Sequence, residues 1–180
     1  MKKQLVPAIL LVGALVGLVA AGQDRYSVKV PGGLAFSEFR GYEGWQAIGI
    51  SRNDKAVAVI LGNPAMINAY RAGIPANGKA VPDGAKMAKV HWSPKPNAFF
   101  PTATVPGDLQ NVDFMVKDSK RFADSGGWGY AVFEYDGHSD TFRPGDSAST
   151  PPQGNDAKCG AACHTAAKAR DYVFTDYGRR

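Results

Sequence analysis

The feature that most constrains this chain is the two-residue alternation of its apolar residues between positions 85 and 135. In residues 85–92, Met87, Lys89 and His91 fall on one side of an extended segment and Ala88, Val90 and Trp92 on the other. Residues 111–117 repeat the pattern, with Val112, Phe114 and Val116 opposite Asp113, Met115 and Lys117. The runs at 45–51 and 55–61 read as a strand, a turn at Arg52-Asn53-Asp54 and a second strand, and residues 128–135 as an aromatic-rich strand before an Asp136-Gly137 turn. With 21 glycines and 12 prolines in 180 residues, turns are too frequent for a helical bundle. Helices are expected only in short pieces. One starts at Asn63-Pro64 and runs to about Arg71, one covers 118–123 before Gly126-Gly127, and one covers 163–169, ahead of 172–177. Two proline-rich segments, 93–107 and 143–156, read as loops. The class is α+β, an antiparallel sheet with a few short helices.

The amino terminus has a different character. Lys2 and Lys3 precede an apolar stretch from Leu5 to Leu18, then the small residues Val19-Ala20-Ala21, then polar Gly22-Gln23-Asp24. This is the three-part pattern of a secretory signal peptide, and the stretch is shorter than the ~20 residues of a membrane span; an uncleaved anchor is the competing reading. The expected organisation is a signal peptide at 1–21 and one domain at 22–180, exported to the periplasm and free of the membrane after cleavage. Cleavage removes two lysines and no acid, taking the net charge from +5 to +3. That excess is scattered, with no basic run interleaved with aromatics, which argues against a nucleic-acid partner. Apolar residues at 44% and aromatics at 11% suffice for a packed core, and Trp45, Trp92 and Trp128 are read as part of it.

The chemistry concentrates at Cys159-Gly160-Ala161-Ala162-Cys163-His164. The common attachment pattern for c-type haem is Cys, two residues, Cys, His, in which both thiols bond the porphyrin and the histidine becomes the iron's proximal ligand. Here three small residues separate the thiols. On a helix, residues four apart share a face, so both sulfurs could still meet one porphyrin edge. Two other readings stay open. Cys159 and Cys163 could form a disulfide in an oxidising compartment. Alternatively, Cys159, Cys163 and His164 could bind zinc with a distant ligand such as His138 or His91, although adjacent Cys and His suit a tetrahedron poorly.

Residues 159–175, Cys-Gly-Ala-Ala-Cys-His-Thr-Ala-Ala-Lys-Ala-Arg-Asp-Tyr-Val-Phe-Thr, resemble the carboxy-terminal haem segment of the cytochrome P-460 family, which includes the cytochromes c′-beta. Pro82-Asp83-Gly84 with Lys89-Val90-His91-Trp92, and the stretch from Val116 to Gly129, resemble the same family in the same order, so the likeness runs from about Phe36 to Tyr177. The resemblance implies a small exported haem c protein, homodimeric, built on a curved antiparallel sheet. It also implies five-coordinate iron with His164 proximal and an open distal side. The departure is the third residue between the cysteines, which bears on the Cys159 thioether more than on Cys163 or His164.

The resemblance also implies roles for two strand residues. In the P-460 enzymes a lysine is bonded to a porphyrin meso carbon, and the matching position is Lys89, with Lys86, Lys79 and Lys95 as rivals. A carboxylate near the distal side accepts protons there, and the matching position is Asp113, one methylene shorter than the glutamate of hydroxylamine-oxidising members. On this branch the protein oxidises hydroxylamine, with nitric oxide as a further substrate, and passes electrons to a soluble partner such as another cytochrome. The cytochrome c′-beta branch instead caps the distal side with aromatics and binds nitric oxide or transfers electrons without catalysis. Phe36, Phe39, Phe99 and Phe100 are the candidates for such a cap, against the plainer reading that they are core. His91 and His138 are expected at the surface or in loops, without a role.

Overall fold

The alternating segments pair in sequence order. A computed structural model describes residues 22–29, 33–145 and 157–178, with the side chains of 157–159 excepted. The signal peptide expected at 1–21 and most of the expected 143–156 loop lie outside the described residues. Six strands form one antiparallel sheet in the order β1 to β6: β1 Gln46–Arg52, β2 Val57–Gly62, β3 Lys86–Pro96, β4 Thr104–Lys117, β5 Trp128–Asp136 and β6 Thr141–Pro144. The sheet is open. Helix α1 (Pro64–Arg71) follows β2, and α2 (Ala157–His164) continues into a 3-10 segment, Thr165–Arg170. The architecture is the expected α+β one.

Alternation sends each strand's residues to two different cores. One face carries Leu61, Ala88, Val90, Val112, Phe114, Val116, Ala131 and Phe133, covered by the amino-terminal 3-10 turns at Phe36–Phe39 and Tyr42–Gly44. Phe39 stacks on Phe114 with ring centroids 4.0 Å apart. The opposite face carries Ile60, Met87, Met115, Trp128 and Tyr130, covered by Met66, Ile67 and Ala69 of α1 and by Val173. Trp128 is fully buried, and Trp45 and Trp92 pack part-buried against the first core, as expected.

Helix α1 starts where the sequence predicts. Asn63 caps it, accepting from the Met66 N–H, with proline at the first turn. Three expectations need correction. Residues 93–107 are mostly strand: β3 continues to Pro96, β4 begins at Thr104, and the loop is only 97–103. Prolines are tolerated because this part of the hairpin stands alone. Pairing with β2 stops at Trp92 and pairing with β5 stops at Asn111, so the outward edges of the arm have no ladder to break. Residues 118–123 form a single turn, capped by the Asp118 side chain on the N–H groups of Lys120 and Arg121, followed by a 3-10 turn at Ala123–Ser125; Gly126 and Gly127, both at positive φ, end it before a helix can extend. The helix expected at 163–169 is instead the end of α2 followed by 3-10.

Candidate functional site

Where α2 and the carboxy-terminal segment cross the second face of the sheet, they leave a cavity of about 310 Å3. Its walls are apolar at Ile60, Met87, Met115, Val132, Val173 and Phe174; Ser51, Tyr130 and Thr175 add hydroxyls to the lining, and Lys89, Asp113 and His164 add an amine, a carboxylate and an imidazole. This volume is within the range of small-molecule sites, which are mostly apolar with a few placed polar groups.

Strand register explains the first two. Ile60, Lys89, Asp113 and Val132 are successive cross-strand partners, so they form one row over four strands. The next row is Gly62, Met87, Met115 and Tyr130. Among the candidate lysines, Lys89 is the one that lines the cavity. Lys86 donates to the Glu38 carbonyl and sits over the Phe39 ring, while Lys79 and Lys95 are exposed.

Asp113 is held from two sides. His91 Nε2 lies 2.9 Å from Oδ2, and Asn111 Nδ2 donates to Oδ1 at 2.5 Å. Both partners share its face, His91 two residues beyond Lys89 and Asn111 two residues before Asp113. His91 was expected at the surface without a role. Its side chain is only 16% exposed and it orients the carboxylate at the cavity. The signal was available in the alternation that put Met87, Lys89 and His91 on one side. His138 is exposed in the turn between β5 and β6, as expected.

His164 is the last residue of α2, half-enclosed by aromatic rings, with Tyr130 at 5.1 Å and Phe174 at 5.0 Å between centroids. Its Nδ1 is 2.7 Å from the Tyr172 carbonyl. A carbonyl only accepts, so Nδ1 carries the proton and donates, and in the neutral ring Nε2 keeps its lone pair. Burial is the main cause that holds the imidazole below its ordinary 6.5, opposed by the bond to Tyr172; Lys89 lowers it further and Asp113 raises it. The ring is therefore neutral at pH 7, the form that can ligate a metal. Lys89, Asp113 and His164 line one space.

Helix α2 contains both Cys159 and Cys163, one turn apart. Cys163 is exposed as a free thiol, which differs from the disulfide that the motif also allowed. Among the described residues, no three His, Cys, Asp or Glu side chains gather as a metal set. Gly160 has a packing reason of its own: a Cβ there would lie 2.9 Å from Tyr130 Cβ and Cγ, so the helix touches β5 at this position.

The four phenylalanines named as candidates for a cap lie away from the cavity, two of them in the core as the plainer reading had it. Phe36 and Phe39 are fully buried in the core on the other face, and Phe99 and Phe100 are exposed near the tip of the β3–β4 arm. The phenyl and phenol side chains at the cavity are those of Phe114, Tyr130 and Phe174.

A family model described as Cytochrome P460 matches residues 39–175, which takes in every strand and the whole cavity lining. No curated protein matches the chain.

Proposed function

Because this chain belongs to the cytochrome P460 family, which implies a haem cofactor, we propose that it is a periplasmic mono-haem c protein that oxidises hydroxylamine in the cavity between the sheet and α2. The observation that carries the reading is the convergence of His164, Lys89 and Asp113, from distant parts of the sequence, on one apolar-walled space. The donor set fits the group. A neutral imidazole has its Nδ1–H fixed by a carbonyl, and the two cysteines lie on the helix that ends in that imidazole. Cys159 and Cys163 would hold the group through thioethers and His164 would ligate its iron. Haem held there would supply the redox chemistry that the oxidation of a small nitrogen compound needs, with a soluble protein as electron acceptor.

The chain's own residues do the rest. Asp113, oriented by His91 and Asn111, accepts the protons that leave the substrate nitrogen or oxygen as it is oxidised. Lys89 stands beside Asp113 in the same row, and on this reading it is the residue that bonds the macrocycle. The apolar walls keep bulk water from competing with a small ligand. The amine of Lys89 and the carboxylate of Asp113 at the cavity, and Phe36 and Phe39 on the far face of the sheet, favour this reading over a nitric-oxide carrier with an aromatic cap.

The test is maturation of the full chain with haem-ligation machinery, then spectroscopy and turnover. A mass increase by one haem and a red-shifted ferrous Soret band that Lys89→Ala abolishes, with haem still attached, are expected. Asp113→Ala should lower hydroxylamine turnover at least tenfold, in line with the roughly 10²–10⁴-fold worth of general bases. Undiminished turnover would remove Asp113 from the mechanism, and an ordinary red spectrum without turnover would leave the gas-binding alternative.

A further inference from the structure

Lys117, only 5% exposed, is the buried charge among the described residues. It closes β4 on the same face as Asp113 and Met115, but lies outside the cavity lining. Its ammonium has three N–H groups and meets three oxygens: Asp171 Oδ1 at 2.8 Å, Asp171 Oδ2 at 2.9 Å and the Gly126 carbonyl at 2.9 Å. The Trp128 ring flanks it at 5.2 Å. Asp171 is held further: its Oδ2 accepts from the Val81 N–H at 2.7 Å, and its carbonyl accepts from Trp128 Nε1 at 2.8 Å.

This anchoring acts on an unusual piece of backbone. Asp171 and Tyr172 are consecutive non-glycine residues with φ of 48° and 64°. Left-handed conformations are disfavoured for such side chains and persist only where the surroundings impose them. The turn they make directs the Tyr172 carbonyl to His164 Nδ1 at 2.7 Å. The clamped residue and the carbonyl that orients the imidazole are therefore adjacent in the chain.

We infer that the Lys117–Asp171 pair is a positioning device for His164, locking the Tyr172 carbonyl so that the imidazole presents Nε2 in a fixed direction with raised electron density. The inference rests on the reading that His164 is the axial ligand of haem. A ligating imidazole that donates its second N–H to a carbonyl becomes a stronger donor, and that favours ferric over ferrous iron. Releasing the clamp weakens that bond and raises the reduction potential. Outer-shell changes typically alter metal affinity by about 10–100-fold, and a tenfold loss of ferric preference corresponds to a rise of about 59 mV for one electron.

The experiment uses the full haem-loaded chain. Asp171→Asn keeps the length and an oxygen for the Val81 N–H but removes the charge; Lys117→Met with Asp171→Asn removes both charges and leaves no unpaired ammonium. Expected are full haem content, a higher midpoint potential and a lower-frequency iron–imidazole stretch in the ferrous Raman spectrum. A purely structural pair would lower the melting temperature and leave potential and stretch alone, and that result would overturn the inference. Failure of both variants to fold would also overturn it, because the pair would then be a requirement of the fold. Failure of the underlying reading looks different: the parent protein carries no haem, or His164→Gly leaves the stretch unchanged.

Discussion

Gly160→Ala offers a sharp test because two effects oppose each other there. Position 160 is interior to α2, where alanine is favoured over glycine by about 1 kcal/mol. An added Cβ would however stand 2.9 Å from Tyr130 Cβ, 2.9 Å from Cγ and 3.0 Å from Cδ1. Carbon contacts are comfortable at about 3.5–4.0 Å, so each is short by about 0.5–1 Å. The atoms met are the root of the tyrosine side chain and not its movable end, so relief requires α2 to lift from β5. Overpacking of this kind costs about 1–3 kcal/mol, which outweighs the propensity gain and leaves a net loss of about 1 kcal/mol. For a domain of this size that is a fall of about 2–4 °C in melting temperature. Ala162, exposed on the same helix, is the control: Ala162→Gly should lose about 1 kcal/mol from propensity alone. Urea unfolding of the haem-loaded protein reads both. A Gly160→Ala protein more stable than the parent would refute the claim that α2 rests on Tyr130.

Two further outcomes follow from the same contacts. Phe39→Ala should cost about 3–5 kcal/mol in urea unfolding, because the ring is fully buried and stacked on Phe114; a loss below about 1 kcal/mol would mean that the 3-10 cover is not part of the core. The Asp83 carboxyl lies below its ordinary 3.8 chiefly because the Ser119 hydroxyl and N–H donate to it. A lowered carboxyl contributes stability above its unfolded value and loses that contribution as pH falls through the folded one. Ser119→Ala should therefore raise the Asp83 midpoint towards 3.8 in a carboxyl-carbon NMR titration and reduce the acid-linked loss of stability, and an unmoved midpoint would reject the bond.

What the sequence made legible here was sidedness. Alternation in β3 and β4 put Lys89 and Asp113 on the same face as Met87 and Met115, and the structure places all four there. Register was not legible. The β3–β4 hairpin slips between His91 and Trp92 and again between Trp92 and Pro94, so loop length alone does not say that Lys89 faces Asp113. The prolines hid the extension of both strands because proline signals a loop only where a ladder would need its missing N–H, and the outward edges of the arm pair with no further strand. The link from Lys117 through Asp171 to the Tyr172 carbonyl that holds His164 had no sequence signal at all. It depends on an ion pair between residues 54 positions apart and on a left-handed turn at two non-glycine residues.

These limits share a physical origin, and it bears on how the site works. Periodicity is a property of single elements, so it reveals which side chains share a face of the sheet; the face's function depends on what is laid across it. In this protein the covering layer is the segment that carries Cys159, Cys163 and His164. It is fixed at separate points: Gly160 against Tyr130, Trp128 Nε1 on the Asp171 carbonyl, Lys117 on the Asp171 carboxylate, and the Tyr70 hydroxyl on the Thr175 carbonyl at 2.8 Å. Each contact joins a strand or helix residue to the segment's backbone or to a residue next to the imidazole's carbonyl partner. A cavity walled on one side by a rigid sheet and on the other by a segment pinned this way can hold Lys89 and Asp113 at a set distance from His164. Loosening a pin moves His164 relative to that pair while the sheet residues stay in place. A substitution at Asp171 should therefore change the properties of the imidazole before it changes those of the carboxylate.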